Sequence, residues 1–205
     1  MIQTLFVIVI IPSIVLHEVS HGYVAYLFGD PTAKEQHRLT LNPLRHVDPF
    51  GTVLLPILMI AVGLPAFGYA KPVPVNVGRL RRPRQQALWV ALAGPAVNIV
   101  LSFIGFLICK HTLRASYNQS EFFNVGLAIG LMNLTLAAFN LLPIPPLDGS
   151  AVIERFIPMH HLPKYYHWRA RALPFLMVFI VIDSAFLHIG TSWLGDLQNW
   201  WVSRI

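Results

Sequence analysis

Cysteine is all but missing. Cys109 is the single one in 205 residues, which excludes an internal disulfide framework and a cysteine-based zinc site. It lies in an apolar run and reads as a small core residue. Charge is scarce too. Only 12% of the residues are Asp, Glu, Lys or Arg, roughly half the share of a typical soluble domain. No long basic run is present beyond the short "RLRRPR" at 79–84. The net charge of +6 therefore does not point to nucleic acid. The N-terminus lacks a positive n-region and a small-residue cleavage site, so the first apolar stretch is not expected to be a cleaved signal peptide. Internal repeats and low-complexity segments are absent.

What fills the chain instead is hydrophobic sequence, 55% of all residues. Several runs approach the ~20 residues needed to cross a bilayer. Residues 2–28, 86–108, 122–142 and 172–190 read as spans, the first closed by Gly29 with Pro31 following, a normal helix stop. The expected fold is an all-α polytopic membrane protein with about four to six transmembrane helices. It forms one domain over 1–205, with a core over 1–150 and C-terminal helices over 151–205. The tail carries Trp193, Trp200 and Trp201, which suit an interfacial helix.

Between the first two core helices the pattern changes. "GTVLLPILMIAVGLPAFG" (51–68) is interrupted by Pro56, Gly63 and Pro65. It is short for a span and suits a re-entrant element. "YAKPVPVN" (69–76) alternates proline and valine, which favours extended backbone, so a short re-entrant or β-hairpin element is expected here. Lys and Arg counts test the placement. If 51–68 does not cross, the side holding 30–85 and 149–171 collects twelve of the fifteen basic residues. If it crosses, the split is nine to six. Basic residues gather on the cytoplasmic side, which favours the re-entrant reading, with the N-terminus outside.

The first span holds the chemistry. "HEVSH" puts His17, Glu18 and His21 inside an apolar helix, where ionisable side chains are costly and default to function. His17 and His21 are one turn apart and share a face. An HExxH helix offers zinc two imidazoles and sets a glutamate beside the first as general base. The bland alternative is that the three side chains pair with one another or with other polar groups in the bundle. A two-histidine zinc site needs a third protein ligand and an open position for water. Asp183, Asp30 and Asp48 are candidates, the last two suiting caps or turns. Asp148 is the strongest. It ends "NLLPIPPLDG" (140–149), where Pro143, Pro145 and Pro146 bar regular helix and Gly149 permits a sharp turn. Broken backbone at membrane depth is tolerated only where protein buries it or it lines a watery cavity. The competing role for Asp148 is capping the next helix.

HExxH in a transmembrane helix followed by N-x-x-P-x-x-x-x-D-G resembles the site-2 protease family of intramembrane zinc metalloproteases. "AGPAVN" (93–98) resembles that family's G-P-x-x-N element, and the likeness spans residues 1 to about 150. The resemblance implies one zinc ion per chain on His17, His21 and Asp148, with Glu18 as general base. It implies substrate or transition-state contacts for Asn140, and substrate-binding positions at Pro74 and Asn76 in the extended element and at Asn98. It implies a single-pass transmembrane protein as substrate, cut within the bilayer of a prokaryotic cell membrane with the active site toward the cytoplasm. Unlike larger members, the chain has no PDZ insertion between its second and third spans. A zinc transporter and an inactive segment-binding homologue remain the rivals. The first should show repeats or a polar path, and the second has no need of Glu18. His37, His46, His160 and His161 read as solvated loop histidines that could also make a second metal site, and "NQS" (118–120) fits a glycosylation pattern.

Overall fold

A computed structural model of the chain describes residues 2–61, 68–114, 120–183 and 187–205. "NQS" falls partly outside them. Nine α-helices occur among the described residues: α1 (Ile2–Leu27), α2 (Thr32–Glu35), α3 (Leu55–Ala61), α4 (Pro83–Arg114), α5 (Ser120–Asn140), α6 (Ser150–Glu154), α7 (Leu162–Arg169), α8 (Ala172–Ile182) and α9 (Ile189–Val202). Three contain stretches long and apolar enough to cross a bilayer: Thr4–Leu27, Pro83–Leu113 and Glu121–Asn140. Helices suit that medium because each satisfies its own backbone polar groups. The chain is accordingly a multi-span membrane protein. Past α1, Gly29 adopts φ +106, a conformation with little steric cost for glycine.

The three long helices form the core, with α4 packed against both α5 and α1, and α1 also touching α5. Without a hydrophobic force between helices in lipid, close backbone approach holds such bundles together. Small residues provide it here. A Cβ added at Gly105 of α4 would lie 2.4 Å from the Gly130 backbone N of α5, and one at Gly126 would lie 3.0 Å from the buried Cys109 Sγ. The Trp201 ring of α9 covers Gly130. Gly105→Ala is therefore expected to force α4 and α5 apart and cost about 1–3 kcal/mol, read as a lower unfolding temperature in detergent. An unchanged midpoint would mean that the crossing has slack.

One expectation changes and one is met in part. Of the expected fourth span, α8 covers eleven residues, about 17 Å of helix against ~30 Å of hydrocarbon, and 184–186 lie outside the described residues. Asp183 accepts from the backbone N–H groups of Ile189 and Gly190 at 2.9 and 3.0 Å, which ties it to the start of α9. That role also removes Asp183 from the candidate metal ligands. No β-strand occurs among the described residues, so the hairpin is absent there. Residues 49–61 form a short apolar helical piece, and 62–67 lie outside the described residues. The ends of that excursion nevertheless meet. Tyr69 N–H donates to Gly51 O at 3.1 Å and the Thr52 hydroxyl donates to Tyr69 O at 2.8 Å. Residues 51–52 and 69 are thus neighbours.

The segment from Tyr69 onward is extended and strapped against the connection that follows α1 by polar groups. Lys71 N–H donates to His46 O at 2.9 Å. The buried Arg38 donates from Nη2 to Lys71 O at 2.7 Å and to Pro72 O at 3.3 Å. Asp30 Oδ2 accepts from Asn76 N–H at 2.6 Å. Prolines 72 and 74 lack the N–H groups that a ladder needs, so side chains hold the segment instead. Gly22 lets it lie close: a Cβ there would fall 2.7 Å from Val73 Cγ1.

Candidate metal centre

His17 and His21 lie one turn apart on α1, and their rings meet edge to face with centroids 4.7 Å apart. Both Nε2 atoms face Asp148. His17 Nε2 is 3.1 Å and His21 Nε2 3.4 Å from Asp148 Oδ2. The three side chains are 9%, 11% and 19% exposed, sheltered yet open on the aspartate side.

Asp148 reaches this position because the chain after α5 folds tightly. Gly149 N–H donates to Asn140 O at 2.7 Å, Ile144 N–H to Leu142 O at 2.8 Å, and Leu147 N–H to Ile144 O at 2.9 Å. Gly149 does not serve by unusual dihedrals, for its φ is −57. It serves by lacking a side chain, since a Cβ there would sit 2.2 Å from Leu141 O. Asp148 does not cap α6 through its carboxylate; that helix has no side-chain cap.

The backs of both imidazoles are anchored. His21 Nδ1 lies 2.7 Å from Val90 O, an acceptor only, so Nδ1 carries the proton and Nε2 has a free lone pair. His17 Nδ1 lies 2.5 Å from Asn98 Oδ1. Ligating histidines are commonly held by such partners.

A divalent metal fits these residues on four counts. Asp148 Oδ2 is buried and has no hydrogen-bond partner, a costly state for a carboxylate oxygen without compensation. The ligating atoms of His17, His21 and Asp148 all lie within 4.8 Å of one another, and the two short separations match the ~3.3 Å edge of a tetrahedron with zinc bonds of 2.0–2.1 Å. Gly94 of α4 leaves room beside them, for a Cβ there would lie 2.4 Å from His21 Nε2 and 2.5 Å from His17 Nε2. Two nitrogens and one carboxylate are a donor set that zinc accepts.

Glu18 is half-buried, and its Oε2 accepts from Val73 N–H at 2.8 Å. The extended strap therefore meets the glutamate through Val73 and not through Pro74 or Asn76. Asn76 spends its side chain locally, Oδ1 accepting from Gly78 N–H at 3.0 Å. Asn140 turns one amide hydrogen back to Leu136 O at 2.9 Å and keeps a second. Asn98 is fully buried, with its Oδ1 against the His17 ring. No second group of three ligating side chains occurs among the described residues. His46 Nε2 pairs with Thr40 O, and the rings of His160 and His161 lie tilted against each other. Sequence reasoning missed Val73, Gly94 and Asn133. Gly94 stood inside the quoted "AGPAVN", and Asn133 was a polar residue in a span, the same signal that singled out His17.

Comparison with known proteins agrees with this site. The model of peptidase family M50 matches residues 5–115 and 109–182. YwhC of Bacillus subtilis (strain 168), provisionally named a zinc metalloprotease, is 45% identical over 160 residues, 74% of this chain and 68% of that protein. Rip2 of Mycolicibacterium smegmatis, named in the same way, is 32% identical over 192 residues, 92% of this chain and 69% of that protein. No solved structure matches the chain. With a family match over most of its length and an HExxH–aspartate triad assembled in its fold, the chain belongs to peptidase family M50.

Proposed function

We propose that this protein is an intramembrane zinc endopeptidase that hydrolyses a peptide bond within or near a transmembrane segment of another membrane protein. The observation that carries the reading is the convergence of His17 Nε2, His21 Nε2 and Asp148 Oδ2 on one point, with Glu18 next in sequence to the first ligand. One zinc ion per chain would be held there. When bound, it would supply Lewis acidity that brings the pKa of water from 15.7 to about 7. The zinc-metalloprotease names of the relatives support the same reading.

The side chains divide the remaining work. Glu18 holds Val73 through Oε2, which leaves Oε1 to take a proton from the attacking water and return it to the leaving amide nitrogen. The uncommitted amide hydrogen of Asn140 is available to a developing oxyanion. Each oxyanion donor of this kind is worth about 2.7–4 kcal/mol. A helical peptide bond is shielded, so the substrate must unwind to reach the site. The strap at 71–76, extended and lying against Glu18, is where an unwound segment would align, with Pro74 and Asn76 flanking it. The excess of Lys and Arg on one side supports a centre that faces the cytoplasm, in the cell membrane of a prokaryote.

The test is cleavage of a single-pass substrate in proteoliposomes. Cleavage should stop on chelation and return with added zinc. Turnover that persists after the metal is removed would overturn the proposal, and zinc flux without cleavage would favour a transporter.

A further inference from the structure

Behind His17 runs a chain of buried amides that the proposed chemistry does not use. Asn98 Nδ2 donates to Asn133 Oδ1 at 2.7 Å, and Asn133 Nδ2 donates to Ser13 Oγ and to Ile129 O, both at 2.9 Å. Asn98 is 0%, Asn133 1% and Ser13 3% exposed. The chain links α1, α4 and α5 deep among apolar side chains, where each unsatisfied polar group is costly.

Its direction is fixed from one end. Ile129 O is a backbone carbonyl and can only accept, so the atom of Asn133 beside it is the nitrogen. The other atom of that amide is then an oxygen and must receive a hydrogen from Asn98. Asn98 therefore turns its nitrogen to Asn133 and its oxygen to His17. An oxygen facing Nδ1 across 2.5 Å needs a proton on Nδ1, which leaves Nε2 of the neutral ring bare and facing Asp148. Amide orientation and histidine tautomer are assigned from such networks, and here the network closes on a group with no choice.

We infer that Asn133 is a positioning residue: by orienting the Asn98 amide it sets which nitrogen of His17 is free to bind the metal. The inference rests on the zinc reading of the site. Ser13 has a different part. It accepts a second hydrogen from Asn133 but does not set the direction, because Ile129 O alone suffices.

The experiment combines zinc affinity with 15N spectra of histidine-labelled, zinc-free protein in detergent. In the wild type, His17 should carry a proton at Nδ1 toward Asn98, whether or not Nε2 is also protonated opposite Asp148. Asn133→Leu frees the Asn98 amide to flip, so a population protonated at Nε2 alone should appear and zinc affinity should fall about 10- to 100-fold, the usual effect of losing a ligand's supporting partner. Should that variant fail to fold, Asn133→Ser keeps the bond to Ile129 O through its hydroxyl, does not reach Asn98, and should show the same redistribution. Asn133→Asp should restore the wild-type pattern, since its oxygen accepts from Asn98 in either protonation state. Ser13→Ala should keep both tautomer and affinity. A folded Asn133→Leu or Asn133→Ser protein with the wild-type tautomer and affinity would overturn the inference. So would an equal loss in Ser13→Ala, which would mark a packing effect. Failure of the zinc reading would look different, as wild-type protein that takes up no zinc.

Discussion

Gly94→Ala should leave the helical bundle folded and strip it of zinc. The added methyl would sit 2.4 Å from His21 Nε2 and 2.5 Å from His17 Nε2, closer than nonbonded atoms tolerate. Side-chain ends can often swing aside, but these rings are tied at the back. His17 is held by Asn98 at 2.5 Å and His21 by Val90 O at 2.7 Å. Making room means breaking a buried hydrogen bond or turning Nε2 away from Asp148. The loss of zinc affinity should therefore be at least the roughly 100-fold that follows loss of a supporting partner. Metal analysis of the purified variant, with helix content checked by circular dichroism, reads it directly. Wild-type zinc content in a folded Gly94→Ala protein would show that the ligands converge elsewhere.

The second large effect is expected on turnover with no change in metal. Glu18→Gln keeps size and shape, and its carbonyl oxygen can still accept from Val73 N–H, as Oε2 does at 2.8 Å. The strap should stay in place and zinc should stay bound. What disappears is an atom able to take a proton. Loss of a general base typically costs about 10²- to 10⁴-fold in rate. Cleavage of a reconstituted transmembrane substrate should fall by that range at unchanged zinc content. Near-wild-type turnover in the variant would assign the proton transfer to another group.

Much of this site was legible in the sequence because polar residues in an oily helix stand out. His17, Glu18 and His21 could not be passive in α1, and "PPLDG" could not continue a helix. The pairing of the two stretches is what marked Asp148 as the third candidate ligand. The long helices were readable from run length. What stayed hidden depends on rotation and approach between distant elements. His17 and Asn98 are separated by 81 positions, and Ser13 and Asn133 by 120, so no local pattern encodes their meeting. Gly149 was correctly marked as special but for the wrong reason: crowding by Leu141 O, and not turn dihedrals, demands it. Nor does the apolar run at 172–190 announce that Asp183 binds the start of α9. In the extended element a side chain says little about which backbone N–H faces Glu18, and it is that of Val73.

The central claim is that His17, His21 and Asp148 together hold one zinc ion. Zinc-edge X-ray absorption on the purified protein, paired with metal quantification, tests it most directly. The account predicts one zinc per chain, bound by two imidazole nitrogens at about 2.0–2.1 Å and by oxygens at about 2.0–2.2 Å, with the signal lost in Asp148→Ala. A protein that binds no zinc, or whose zinc environment is unchanged in Asp148→Ala, would contradict it.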